Sequence, residues 1–165
     1  MQVYNIKKDV LAVRAENVPA ELRARPQWVN WQARERLDGR LDKVPYTPGT
    51  TRKASTTDLT TWRTFDEALK DLDRYDGVGF VFCSGDPYVG VDLDGCVDPE
   101  TGEVKPWAAR IIESLDSFAE LSPSGTGVHV IARGKIPYAC RREAVEMYSQ
   151  GRFFAVTGHV LGGDR

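Results

Sequence analysis

The sequence predicts a mixed α+β domain in which the strands are largely antiparallel. Three observations point there. Short β-branched and aromatic runs follow one another directly, two stretches carry helical spacing, and Gly- or Asp-containing turns separate the runs. Strands joined without an intervening helix form hairpins, and hairpins build antiparallel ladders rather than a doubly wound parallel sheet. The 165-residue length suits one domain with a real core, and 41% apolar content with four Trp and six each of Tyr and Phe excludes a disordered chain.

The elements follow in order. An edge strand is expected around Gln2–Ile6 and a short helix from Pro19, where Ala20, Leu22 and Ala24 sit among charges. Trp28–Ala33 reads as a strand, Asp38-Gly39 as a hairpin turn, and Leu41–Tyr46 as the returning partner. Thr47–Thr61, rich in Thr, Pro, Gly and Ser, is a loop. Trp62, Phe65, Leu69 and Leu72 follow helical spacing behind Thr60 and Thr61, so a helix is expected over Trp62–Arg74, closed by Asp76-Gly77. Val78–Cys83 and Tyr88–Leu93 are strands around a Gly85-Asp86 turn. Pro106 opens a helix with Trp107, Ile111, Ile112 and Leu115 on one face. Phe118–Leu121 and Val128–Ala132 are strands, Arg141–Ala144 a charged helix, and Val145–Tyr148 and Arg152–Thr157 the last strands, split by Gln150-Gly151.

Several function classes drop out on composition. No stretch approaches the roughly 20 apolar residues of a membrane span, and the first residues carry no signal-type apolar core, so a cytoplasmic location is expected. Cys83, Cys96 and Cys140 are too scattered for a zinc ribbon or a disulfide framework. The net charge of −2 hides a sorted distribution: basic residues dominate 13–53 and 121–165, whereas 54–120 holds fifteen acids against five bases. An acidic centre between basic flanks fits a metal site walled by phosphate-binding cations.

Two segments carry the chemistry. In Val89-Gly90-Val91-Asp92-Leu93-Asp94, strand periodicity places Asp92 and Asp94 on one face, and adjacent carboxylates call for a divalent cation between them. In Ser122-Pro123-Ser124-Gly125-Thr126-Gly127-Val128-His129, glycines allow a sharp turn while Ser122, Ser124 and Thr126 add hydroxyls suited to phosphate oxygens. Glu146, the acid inside the late apolar run Ala144–Tyr148, is the candidate third carboxylate. Val91-Asp92-Leu93-Asp94-Gly95 is also similar to the nucleophile motif of haloacid-dehalogenase-type phosphatases. That family expects Thr where Cys96 stands and a later acidic pair that this chain lacks.

Asp92-Leu93-Asp94, then Ser-Gly-Thr-Gly-Val-His129, then Glu146, in this order, resemble the three motifs of the archaeo-eukaryotic primase superfamily, above all the primase-polymerase domains of phages and mobile elements. Lys43-Val44-Pro45-Tyr46, Thr61-Trp62, Gly77-Val78-Gly79-Phe80 and Gly151–Gly158 extend the likeness over about residues 17–162. The resemblance implies a catalytic core with an RNA-recognition-like sheet (about 76–162) packed with an N-terminal α/β module (about 1–75), together part of a longer replication protein. It implies that Asp92, Asp94 and Glu146 hold two Mg²⁺ or Mn²⁺ ions. Ser122, Ser124, Gly125, Thr126 and His129 would bind the incoming nucleotide, with Lys43 and Arg152 as further phosphate contacts. The implied activity is template-directed nucleotidyl transfer on single-stranded DNA with a primer and NTPs or dNTPs, supported by C-terminal helical and helicase domains or a separate helicase, and without membrane association. A non-catalytic single-strand-binding module is the alternative.

Overall fold

β-Branched and aromatic runs broken by tight turns collapse into two antiparallel sheets. The structure, a computed structural model, describes residues 10–162, so the strand expected around Gln2–Ile6 lies outside the described residues. The first sheet has the order β2-β1-β3-β9, from β1 (Trp28–Glu35), β2 (Leu41–Tyr46), β3 (Gly77–Phe82) and β9 (Arg152–Val156). The second runs β5-β6-β4-β8-β7, from β4 (Tyr88–Leu93), β5 (Phe118–Leu121), β6 (Val128–Arg133), β7 (Cys140–Arg142) and β8 (Val145–Tyr148). Every ladder is antiparallel, as the hairpin-dominated sequence predicts. At the β1–β2 turn, Gly39 adopts φ +83° and its N–H donates to the Arg36 carbonyl at 3.0 Å, a left-handed position where glycine is unstrained.

Among the described residues, three α-helices cover the sheets: α1 (Ala20–Arg23), α2 (Phe65–Lys70) and α3 (Pro106–Leu115). Strand β4 shows why the second sheet has two packed faces. Its odd residues Val91 and Leu93 join Val128, Val130 and Ala119 against Ala108 and the partly buried Trp107, Ile111 and Ile112 of α3. Its even residue Tyr88 turns the other way, into a core with Ile131, Tyr148, Phe80, Phe82 and Phe154 that also takes in Trp28, Phe65 and Leu22. Gly90 lies between them because nothing larger fits: a Cβ there would stand 2.6 Å from the Phe154 ring and 2.7 Å from Phe82. The even face of β4, which also carries Asp92, is therefore pressed towards the first sheet.

Two expectations are corrected. The helix predicted over Trp62–Arg74 shrinks to Phe65–Lys70, capped by a reciprocal Thr64–Glu67 capping box. Trp62 and Arg63 are extended instead. The Arg63 N–H and C=O pair with the backbone of Trp28 at 2.9 and 3.0 Å, which removes them from any helical ladder. Trp62 then packs on Val29 and Val81, away from Phe65. After Lys70 the chain tightens into i to i−3 turns at Asp71, Leu72 and Arg74. The charged helix expected over Arg141–Ala144 is strand β7 and a turn. Arg141 and Arg142 pair with Glu146 and Val145, and Glu143 reverses the chain at φ +54°. The long 47–61 segment is a loop as expected, ending in a 3-10 turn over Leu59–Thr61.

Candidate active site

Strand register assembles a rung of ionisable residues across the second sheet. Glu120 on β5 lies opposite His129 on β6, His129 opposite Asp92 on β4, Asp92 opposite Glu146 on β8, and Glu146 opposite Arg141 on β7. Directly paired residues share a face of the ladder, so the rung projects from one side of the sheet, that of Tyr88 and Gly90. Segments remote in the sequence thus supply one row of charge.

Asp92 is the electrostatic centre. Its carboxyl is pushed up to about 6, first by burial and then by repulsion from Asp94 and Glu146, with Lys43 opposing. Asp94 follows at the exposed end of the strand, where its backbone N–H donates to the Ala144 carbonyl at 2.9 Å. Lys43 comes from β2 of the other sheet, its Nζ 5.9 Å from the Trp31 ring centroid. Desolvation holds its amine below the usual lysine range, while Asp92 and Asp94 attract its charge. The site is therefore shared between the sheets.

His129 is locked from two sides. Nδ1 lies 3.0 Å from the Ala155 carbonyl of β9, and the ring stacks on Phe154 with centroids 4.7 Å apart. A carbonyl only accepts, so Nδ1 carries the proton and Nε2, 3.5 Å from Asp92 Oδ1, has the free lone pair. Burial holds the imidazole down at about 4, so it is neutral at physiological pH. Glu120, wholly buried, accepts from the Thr157 N–H at 3.0 and 3.1 Å and from the Gly158 N–H at 2.7 Å. Burial pushes its carboxyl up to about 7 against these three bonds. It ties β5 to the end of β9, the strand whose carbonyl orients His129.

The hydroxyl loop sits against the end of β4. A Cβ on Gly127 would stand 3.0 Å from the Leu93 carbonyl, so the loop backbone runs close to the aspartate-bearing strand. Its amides are used internally: Gly125 N–H donates to the Ser122 carbonyl at 2.8 Å and Gly127 N–H to Ser122 Oγ at 3.1 Å. Ser122 is buried and shapes the turn, Gly125 takes φ +75°, and Ser124 and Thr126, 2.8 Å apart through their hydroxyls, carry the outer surface. At the far end of the rung, the Tyr148 hydroxyl donates to Glu146 Oε2, and Arg141 Nε lies 3.1 Å from Glu146 Oε1. The exposed Arg152 guanidinium lies 4.6 Å from the Tyr148 ring centroid. An open cleft of about 630 Å³ beside Asp94 is lined by Lys105, Trp107, Ile111, Arg142 and Val145.

Among the described residues, no three His, Cys, Asp or Glu side chains gather closely enough to hold an ion by themselves. The donor chemistry still fits a hard divalent cation. Such an ion takes one or two carboxylates and completes its octahedron with water and substrate phosphates. Asp92 and Asp94, both oxygen donors at one strand end and mutually repelling, supply that pair. Glu120, Arg141 and Tyr148 escaped the sequence reading. Glu120 sits inside a short apolar run like any edge acid, Arg141 falls where the charge pattern predicts a helix, and Tyr148 is legible only as the residue two beyond Glu146 on the same face.

No helix among the described residues is long and apolar enough to cross a membrane. No protein-family model matches the chain. It is 38% identical over 146 residues to a DNA primase-polymerase of Nitratiruptor phage NrS-1, a match covering 83% of this chain and 20% of that protein. The chain thus spans about a fifth of the length of this curated relative, and the aligned stretch is long enough to include most of the rung and its flanking loop.

Proposed function

We propose that this chain is the metal-dependent nucleotidyl-transfer part of a DNA primase-polymerase, extending a primer on a DNA template during phage or mobile-element replication. The observation that carries this function is the placement of Asp92 and Asp94 at one strand end, with Glu146 opposite Asp92 in the ladder and Lys43 reaching them from the other sheet, in a chain similar to a phage primase-polymerase. Asp92 and Asp94 are the residues to hold Mg²⁺ or Mn²⁺, with Glu146 the third carboxylate. A divalent cation held there would supply Lewis-acid stabilisation of the attacking primer hydroxyl and of the charge on the departing pyrophosphate.

The chain's own groups do the rest. Ser124 and Thr126 donate hydroxyl hydrogen bonds to phosphate oxygens, while Ser122 and Gly125 hold the loop in shape. Lys43, from β2, and Arg152, from β9, supply positive charge. His129 turns Nε2 towards Asp92; the negative charge of a triphosphate favours a proton there and converts Nε2 into a donor.

Primer extension with Mg²⁺ or Mn²⁺, comparing the wild type with an Asp92→Ala, Asp94→Ala double variant, tests the assignment. Extension by the wild type alone supports it. Unchanged single-strand binding by both proteins with no extension by either indicates a binding module instead. Metal-dependent phosphate release from a small ester, without nucleotide incorporation, indicates a phosphatase.

A further inference from the structure

We infer that Tyr148 is a positioning residue that sets two functional side chains at once: its hydroxyl aims Glu146 and its ring carries Arg152. This rests on the nucleotidyl-transfer assignment above.

The geometry begins with where the ring is held. Tyr148 lies opposite Gly90 on β4, the one position in that strand with no side chain, and packs edge-on to Phe154 at 6.4 Å and 89°. It is 9% exposed, so the ring has little freedom. Along β8, residues 146 and 148 share a face. The phenol reaches back along the strand and donates to Glu146 Oε2. Arg141 Nε occupies the other oxygen at 3.1 Å. A carboxylate oxygen accepts along more than one lone-pair direction, so Glu146, the ladder partner of Asp92, keeps acceptor capacity when held this way.

The same ring acts on the next strand. Arg152 opens β9 after the Gln150-Gly151 turn, and its guanidinium lies 4.6 Å from the ring centroid, inside cation–π range. The exposed Arg152 side chain thereby has a preferred resting place on the ring, and less rotamer freedom is lost on each binding event. The two effects are separable, because the hydroxyl serves Glu146 and the ring serves Arg152.

Two substitutions in the full chain separate them. Tyr148→Phe keeps the ring and removes the hydroxyl; Tyr148→Leu removes both. Mn²⁺ binding is measured by isothermal titration calorimetry, and nucleotide KM and kcat by primer extension. Loss of an outer hydrogen-bond partner of a ligand typically weakens metal binding or activity 10- to 100-fold. Tyr148→Phe should therefore bind Mn²⁺ about tenfold more weakly with nucleotide KM unchanged. Tyr148→Leu should in addition raise nucleotide KM several-fold.

A Tyr148→Phe protein that melts like the wild type and binds Mn²⁺ equally well overturns the role. Equal nucleotide KM in the Phe and Leu variants overturns the Arg152 half. If Tyr148→Leu fails to fold, Arg152→Gln tests that half, because it must then raise nucleotide KM as Tyr148→Phe does not. A wild type that binds Mn²⁺ but extends no primer refutes the transfer assignment while calorimetry still decides the Glu146 half. A wild type that binds no Mn²⁺ refutes both.

Discussion

Replacing Asp92 by Asn isolates the energetic consequence of packing acids against one another. Asp92 titrates near 6 because burial and two neighbouring carboxylates disfavour its charge. Carried through linkage, a displacement of that size from an ordinary aspartate amounts to about 3 kcal/mol, and to roughly 2 kcal/mol after solvent screening at a side chain 32% exposed. The sign follows from proton counting. Between the ordinary aspartate value and 6 the folded chain keeps a proton that the unfolded chain has lost. Stability contributed at this site therefore falls as pH rises through that window, and the whole penalty is present above it. Asparagine carries no such penalty, and its amide N–H₂ can donate to the free lone pair of His129 Nε2, 3.5 Å from the present Oδ1. Asp92→Asn should thus stabilise the metal-free chain by about 2 kcal/mol at pH 8, with the gain vanishing by pH 4. Urea denaturation in EDTA at both pH values measures it. Adding Mg²⁺ should stabilise the wild type and not the variant. A variant destabilised at pH 8, or a gain independent of pH, would refute the electrostatic reasoning. Loss of primer extension in this more stable protein would separate catalysis from folding.

Two further outcomes follow from the same geometry. Lys43→Met removes the cation facing Asp92 and Asp94, so a carboxyl NMR titration should show Asp92 moving above 6, and loss of one charge-assisted phosphate contact should raise nucleotide KM about tenfold. An unmoved Asp92 would mean that the amine does not face it. Gly90→Ala forces a Cβ into the Phe154 and Phe82 rings and should destabilise the chain by about 1–3 kcal/mol, lowering the melting temperature by roughly 2–4 °C per kcal/mol. Because Phe154 also stacks on His129, activity should fall with it; a neutral substitution would show that the inter-sheet packing has slack.

Period-two alternation and turn chemistry made most of this fold legible in the chain. Strands such as Tyr88–Leu93 and Val128–Arg133 declare themselves because residues two apart share a face, and the Asp92–Asp94 pair is visible for the same reason. The helix over Trp62–Arg74 misled because Trp62 satisfies helical spacing, yet the Arg63 backbone finds stronger partners in Trp28. Local pattern cannot see a partner strand more than thirty residues away. Strand β7 was hidden for a different reason: its three residues are exposed and carry no apolar alternation, and only the turn at Glu143, with φ +54°, brings them onto the adjacent β8.

The sequence by itself determined the fold class, the alternation that puts Asp92 and Asp94 on one face, and the supply of acids, hydroxyls and cations for phosphate chemistry. Tertiary structure alone decided which of these groups meet. Register across the second sheet, set by burying Val91, Leu93, Val128 and Val130 on α3, turned Glu120, His129, Asp92, Glu146 and Arg141 into a single rung. Packing of the first sheet on the second brought Lys43 of β2 to the carboxylates and the Ala155 carbonyl of β9 to His129. A shift of one residue in any ladder would send these polar groups to the opposite face, because the side-chain period of a strand is two. That is why the motifs could be read along the chain while the site they form could not.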